Sequence, residues 1–191
     1  MPIDYINDRE SVVKLLSKHL KGEKFKHSIG VEETAIWLAE QYGADPVKAG
    51  LAGLLHDITK QRDNRELAAR YGLDFIAEKT LHGPTASCWL KEKGYVEDDE
   101  VLLAIKYHTT GRADMTLLEK IIYLADYIEP NRDFEEVEVL REAVRRDLNE
   151  GLLLGLELSL KDILERENLI DPDSVSAYNC YSLQKRFNRT I

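Results

Sequence analysis

Apolar residues recur at three- and four-residue intervals along almost the whole chain, and no run alternates apolar and polar residues over the length of a strand. That periodicity gives each segment one face to bury and predicts an all-α fold. The spacing predicts helices over residues 8–20, 46–57, 64–71, 84–93, 98–108, 135–147, 150–166 and 173–187. Two more run through "HSIGVEETAIWLAEQY", opening at His27, and "LLEKIIYLADYIE". The punctuation agrees. Gly43 supplies a stop after "AEQY", and Asp45 with Pro46 reads as a cap followed by a first helical residue. Thr116 and Glu119 have the spacing of a capping box, Pro130 ends the helix that follows, and Gly94 in "LKEKGY" closes another. No repeat, low-complexity tract or linker marks a boundary, so the 191 residues are read as a single domain.

Composition narrows the class. Hydrophobic residues make up 43% and charged residues 32%, the balance of a globular chain. No stretch approaches the ~20 consecutive apolar residues that cross a membrane. The N-terminus "MPIDYINDRE" turns acidic where a signal peptide would have its apolar core, so a cytoplasmic location is expected. A net charge of -9 argues against a general nucleic-acid binder, whose affinity comes from a basic face. A small phosphorylated ligand stays open, because a metal and a few local cations reverse the sign of one pocket. Cys88 and Cys180 form no C-x-x-C pair and read as small buried residues, and Trp37 and Trp89 are assigned to the core. Neither a phosphate-binding Walker loop nor a dinucleotide fingerprint occurs. A homodimer is the default assembly.

The chemistry lies in the histidines. Four of the five, His27, His56, His82 and His108, fall at or near predicted helix ends, and only His19 lies outside. His56 and Asp57 end the apolar helix "VKAGLAGLLHD". Adjacent helical positions project about 100° apart, so both serve one point only if the helix unwinds there or more than one centre is present. A carboxylate bridging two metal ions ~3.5–4 Å apart meets that requirement. Asp126 sits in the apolar stretch "IIYLADYIEP" and needs a partner, either a helix terminus, an arginine or a metal. Imidazoles and carboxylates without a thiolate suit iron, manganese, cobalt, nickel or zinc better than a calcium cage.

The order His27, His56-Asp57, Asp126 resembles the HD-domain metal-dependent phosphohydrolases. The surrounding segments, "HSIGVEETAIWLAEQYGADPVKAGLAGLLHDITK", "LHGPTAS" and "AIKYHTTGRADMTLLEKIIYLADYIEPNRDF", are similar to a bacterial subgroup of them, the YqeK-type symmetrical diadenosine tetraphosphate hydrolases. The similarity runs from about residue 8 to about 182 and includes "DLNEGL" and "PDSVSAYN". It implies a helical bundle with a metal centre in a central cleft, a core over 20–130 and C-terminal helices over 131–191 packing on it.

The resemblance further implies that His27, His56, Asp57 and Asp126 ligate one metal, and that Asp57, His82 and His108 complete a second position. Iron is the implied ion, in a dinuclear centre, with manganese, cobalt or another first-row ion as alternatives. The implied substrate is a dinucleoside polyphosphate. Asp57, Lys60 and Arg112 form the expected catalytic set. Lys60 and Arg112 are candidates for polyphosphate contacts, with Thr109 and Thr110 as hydroxyl donors and Lys24 and Arg132 reaching other phosphates. The plainer alternatives are a solvated Lys60 and an Arg112 paired with Asp114. His82 and His108 are also placed against substrate. Tyr178 and Asn179 are candidates for a nucleoside pocket, with plain core packing of Tyr178 as the alternative. Two other readings compete: an HD-type hydrolase of a different nucleotide, and a non-catalytic module that binds metal and nucleotide.

Overall fold

The fold is a layered array of helices, seen in a computed structural model that describes residues 3–188. Among the described residues there is no strand, and ten α-helices follow one another along the chain. They are α1 (Arg9–His19), α2 (Glu23–Tyr42), α3 (Pro46–Leu55), α4 (Asn64–Tyr71), α5 (His82–Glu92), α6 (Asp99–Tyr107), α7 (Leu117–Ile128), α8 (Val137–Arg146), α9 (Leu148–Glu165) and α10 (Pro172–Asn188). A short 3₁₀ turn, Glu78–Thr80, precedes α5.

Local chemistry sets most of the boundaries. Asp8, Asp45, Asp63, Asp98 and Asp147 each accept a backbone N–H of the helix they precede, and Thr116 with Glu119 forms the full capping box of α7. Such caps satisfy donors that the first helical turn leaves unpaired and contribute about 1 kcal/mol each. Gly43 ends α2 in the left-handed region at φ 78, a conformation that glycine adopts without Cβ strain.

Helix α7 lies at the centre. It packs on α2, α3, α6, α8 and α9, and Ile121, Ile122, Tyr123, Leu124 and Ala125 are fully buried. Helix α3 packs on α1, α2 and α6, while α5 joins the array through α6 and α4. Helices α8 to α10 cover the other side of α7 through α9. This arrangement brings five helix segments toward one point: the second turn of α2, the end of α3, the start of α5, the end of α6 and the last turns of α7. Among the described residues no helix is long and apolar enough to cross a membrane.

Several boundaries differ from the sequence pattern. Helix α3 stops at Leu55 instead of continuing through Asp57, and α2 starts at Glu23, one turn ahead of His27. Three of the four residues assigned to the interior are not fully buried there. Trp37 is 37% exposed, whereas Trp89 is buried, and both cysteines are free and only partly buried. A tryptophan on the outer face of an amphipathic helix fits the same period as one on the inner face, so periodicity alone does not separate them.

Candidate metal centre

The unwinding after Leu55 decides how His56 and Asp57 are aimed. The hydrogen bonds Ile58 N to Leu55 O, Lys60 N to Asp57 O and Arg62 N to Thr59 O close successive three-residue turns. In that tighter path the two neighbouring side chains face the same point, as they could not on a regular helix. The His56 Nε2 and Asp57 Oδ2 atoms are 3.6 Å apart.

The other side chains converge on this pair. Asp57 Oδ1 lies 3.1 Å from His82 Nε2 and 3.5 Å from His108 Nε2. His56 Nε2 is 3.8 Å from Asp126 Oδ1, which in turn lies 2.8 Å from His27 Nε2. The ligand atoms of three overlapping trios, His27–His56–Asp57, His56–His108–Asp126 and Asp57–His82–His108, each fall within 4.8 Å of one another. All six residues singled out as metal ligands therefore meet in one cluster, with Asp57 and His56 shared between its two ends.

Hydrogen bonds behind the cluster fix which nitrogen of each ring faces inward. His56 Nδ1 donates to the Gly53 carbonyl at 2.7 Å, and His108 Nδ1 donates to the Ile105 carbonyl at 2.7 Å. A carbonyl only accepts, so each Nδ1 carries the proton and each Nε2 presents a lone pair to the centre. His27 Nδ1 lies 3.0 Å from Glu129 Oε1. This is the outer support that metal-ligating histidines ordinarily have. Two pairs of helices approach closely behind the cluster. A Cβ on Gly30 would sit 2.4 Å from Glu129 Oε2, and one on Gly83 would sit 2.7 Å from the Lys106 carbonyl beside His108. Glycine at both positions leaves that space open.

The electrostatics suit a cation. Burial pushes His56 down to about 3 and His82 down to about 4, so both stay neutral and able to ligate. Burial opposes the charge on Asp57, so the carboxylate needs a compensating positive charge beside it. Burial likewise opposes Asp126, and Arg132 with His27 outweighs it. His27 moves the other way: burial disfavours its charge, yet Asp126 and Glu129 raise its pKa.

Among the described residues two buried side-chain atoms remain without a hydrogen-bond partner, His56 Nε2 and Asp57 Oδ1. An unpaired buried polar atom costs about 1–3 kcal/mol and more when charged, and a lone pair and a carboxylate oxygen brought together in a protein interior are donors that a cation would satisfy. The donor set of imidazoles and carboxylates fits a first-row divalent metal.

Comparison with known proteins agrees with this geometry. The HD domain family profile matches residues 25–131. The chain belongs to the HD-domain family. It is 41% identical over 186 residues to a protein of Halalkalibacterium halodurans named symmetrical bis(5'-nucleosyl)-tetraphosphatase, covering 94% of this chain and all of that one. A Bacillus subtilis protein of the same name is 35% identical, covering 90% of this chain and 96% of the relative. Among solved structures, an HD superfamily hydrolase of Clostridium acetobutylicum ascribed to NAD metabolism superimposes with a TM-score of 0.85 at 34% identity, over 92% of this chain and 97% of that one.

The remaining expected site residues divide by position. In this HD domain Lys60, Thr109 and Arg132 line a cleft of about 410 Å³ that opens beside Asp126. The Lys60 Nζ lies 2.7 Å from His82 Nε2 and 3.5 Å from Asp57 Oδ1. Arg132 donates through Nε to the Asp126 carbonyl at 2.7 Å and through Nη2 to its carboxylate at 2.5 Å, so Asp126 has both an arginine partner and a place in the cluster. Arg112 is held elsewhere. Its Nε and Nη2 clasp Glu119 at 2.6 and 2.8 Å, and Glu119, not Asp114, is its partner. Thr110 turns its hydroxyl to the Gly111 carbonyl. Lys24 and Asn179 are exposed, and Tyr178 packs against the core from α10.

Sequence reasoning missed Glu129. Its carboxylate is 1% exposed and accepts from His27 and from both the backbone and side chain of Asn131. The available signal was its spacing: Asp126 and Glu129 stand three residues apart, which places both on one face of α7 and its cap.

Proposed function

We propose that this chain hydrolyses dinucleoside polyphosphates symmetrically, splitting diadenosine tetraphosphate into two ADP molecules, at a metal centre built on His56 and Asp57. The observation that carries the chemistry is the pair of unsatisfied buried atoms, His56 Nε2 and Asp57 Oδ1. The substrate follows from the relatives in Halalkalibacterium halodurans and Bacillus subtilis, which carry the symmetrical tetraphosphatase name along nearly their whole length. His27, His56, Asp57 and Asp126 would hold one ion, and Asp57, His82 and His108 a second, with iron as the proposed metal. Bound there, such ions would lower the pKa of an attacking water and neutralise charge on the phosphoryl group.

The chain's own residues do the positioning. The tied-back Nδ1 atoms of His27, His56 and His108 keep the inward nitrogens aimed without reorganisation during the reaction. Lys60 and Arg132 sit where the cleft meets the cluster and offer cationic donors to the phosphates on either side of the cut. Thr109 adds a hydroxyl 3.1 Å from His108 Nε2. Water adds to one of the two central phosphorus atoms and the central bridging oxygen departs as the terminal oxygen of ADP. That oxygen is stable as part of a phosphate, so alignment and charge neutralisation carry most of the rate.

The test is reconstitution. Chelated protein should be inactive on diadenosine tetraphosphate, and activity should return on adding Fe²⁺, Mn²⁺ or Co²⁺ under reducing, oxygen-free conditions. Undiminished turnover by protein shown to be metal-free would remove the metal from the account.

A further inference from the structure

The cleft beside the cluster extends well beyond the residues that could serve phosphates. Lys60, Thr109, Asp126 and Arg132 line it where it meets the cluster. Tyr127, Phe134 and Leu158 line the same cleft as an apolar wall, all three half-buried and packed against the core. The Phe134 ring meets the Tyr127 ring edge-on, with centroids 6.0 Å apart and an interplanar angle of 85°, and Tyr127 stacks on buried Tyr123 at 5.7 Å. The aromatic wall is thus braced from behind by the core.

The charged groups around this wall are already matched. Lys161 pairs with Glu136 at 3.1 Å and Arg166 with Asp162 at 2.6 Å. A rim of paired charges around a half-exposed aromatic wall does not select an anion there. It suits a flat, uncharged group with polar edges, whose anionic tail runs toward Lys60 and Arg132. The volume of about 410 Å³ lies in the range of small-ligand sites, about 300–1,000 Å³.

We infer that Tyr127, Phe134 and Leu158 form the subsite for one nucleoside of the substrate, with its base against Phe134 and its phosphates leading to the metal cluster. This deepens the proposed reaction and rests on it for the identity of the nucleotide. It places the nucleoside pocket on α7, the 131–136 turn and α9, not at Tyr178 and Asn179. An aromatic face recognises any base by stacking, so this wall holds the nucleoside while the cluster sets which bond is cut.

The experiment compares two probes on one protein. ADP and inorganic pyrophosphate are titrated calorimetrically into the metal-loaded wild type, Phe134→Ala and Phe134→Trp. Loss of base stacking should weaken ADP about 10- to 100-fold in Phe134→Ala. Pyrophosphate, which has no base, should bind as in the wild type, and Phe134→Trp should restore ADP affinity. Equal ADP affinity in wild type and Phe134→Ala overturns the subsite, as does a parallel loss of ADP and pyrophosphate binding by a Phe134→Ala protein with wild-type helicity. The reaction is judged separately. If ADP binding depends on Phe134 but diadenosine tetraphosphate is not cleaved, the subsite stands and the reaction reading falls. If it is cleaved and ADP binding ignores Phe134, the reverse holds.

Discussion

Glu129 and His27 are 102 residues apart in sequence, yet the buried Glu129 carboxylate receives the Nδ1 of His27 at 3.0 Å. That contact turns the opposite nitrogen of the ring to Asp126 and the cluster. An outer carboxylate of this kind fixes ring orientation and raises the basicity of the ligating nitrogen.

Glu129→Ala is therefore expected to weaken metal binding about 10- to 100-fold, while Glu129→Gln, whose amide oxygen still accepts from Nδ1, should retain most of it. Competition against a chelator of known affinity measures this. Gly30→Ala should act in the same direction, because its methyl group would displace Glu129 Oε2. Wild-type affinity in both Glu129→Ala and Gly30→Ala would show that the contact is only structural.

Asp57 is shared between both ends of the cluster, so Asp57→Ala should remove metal and activity together. Far-UV circular dichroism should remain that of the wild type, because Asp57 lies in the turn after α3 and not in a helix. Retained metal at wild-type stoichiometry would count against the bridging role.

Acid should destabilise the metal-free protein. His56 and His82 are pushed by burial from 6.5 in an unfolded chain to about 3 and about 4 when folded. Between those values the unfolded chain binds more protons, so stability falls as pH drops from 6.5 toward 4. His27, raised above 6.5, works in the opposite sense: its contribution is present below 6.5 and fades as pH climbs through its folded value. Below 6.5 the His27 contribution is constant, so the lowered pKa values of His56 and His82 set the sign, and thermal unfolding of chelated protein should show Tm decreasing from pH 6.5 to 4. A Tm that rises over that interval would contradict the assignment of neutral, buried imidazoles.

Arg112 clasps a Glu119 carboxylate that is 1% exposed. Arg112→Ala leaves that carboxylate without its strongest partner and should cost about 1–3 kcal/mol in denaturant unfolding. Its effect on KM for diadenosine tetraphosphate should be smaller than that of Lys60→Ala, since Lys60 lines the cleft and contacts His82. A large KM effect at unchanged stability would return Arg112 to the phosphates.

The helices were largely legible because their caps are local: Asp45-Pro46, Thr116 with Glu119, and Gly43 act within one turn of the chain, and the structure keeps all three. The cluster was legible for a different reason, since the resemblance supplied the partners of His56 and Asp57 across long intervals. Where the pattern failed, the cause was tertiary. Helix α3 ends at Leu55, and His56 and Asp57 then face side chains of other helices, contacts that an apolar run through Leu55 does not encode. The roles of Glu129 and Arg112 depended on which partner each would meet after folding: His27 for Glu129 and Glu119 for Arg112. The aromatic wall at Tyr127 and Phe134 has no sequence period of its own, because one residue belongs to α7 and the other to the turn beyond it.

The reaction proposed for the His56–Asp57 centre is a symmetrical cut. Incubation of the metal-loaded protein with diadenosine tetraphosphate, followed by chromatographic separation of the products, tests it directly. The account predicts ADP alone, two molecules for each substrate consumed. Equal amounts of AMP and ATP would contradict it.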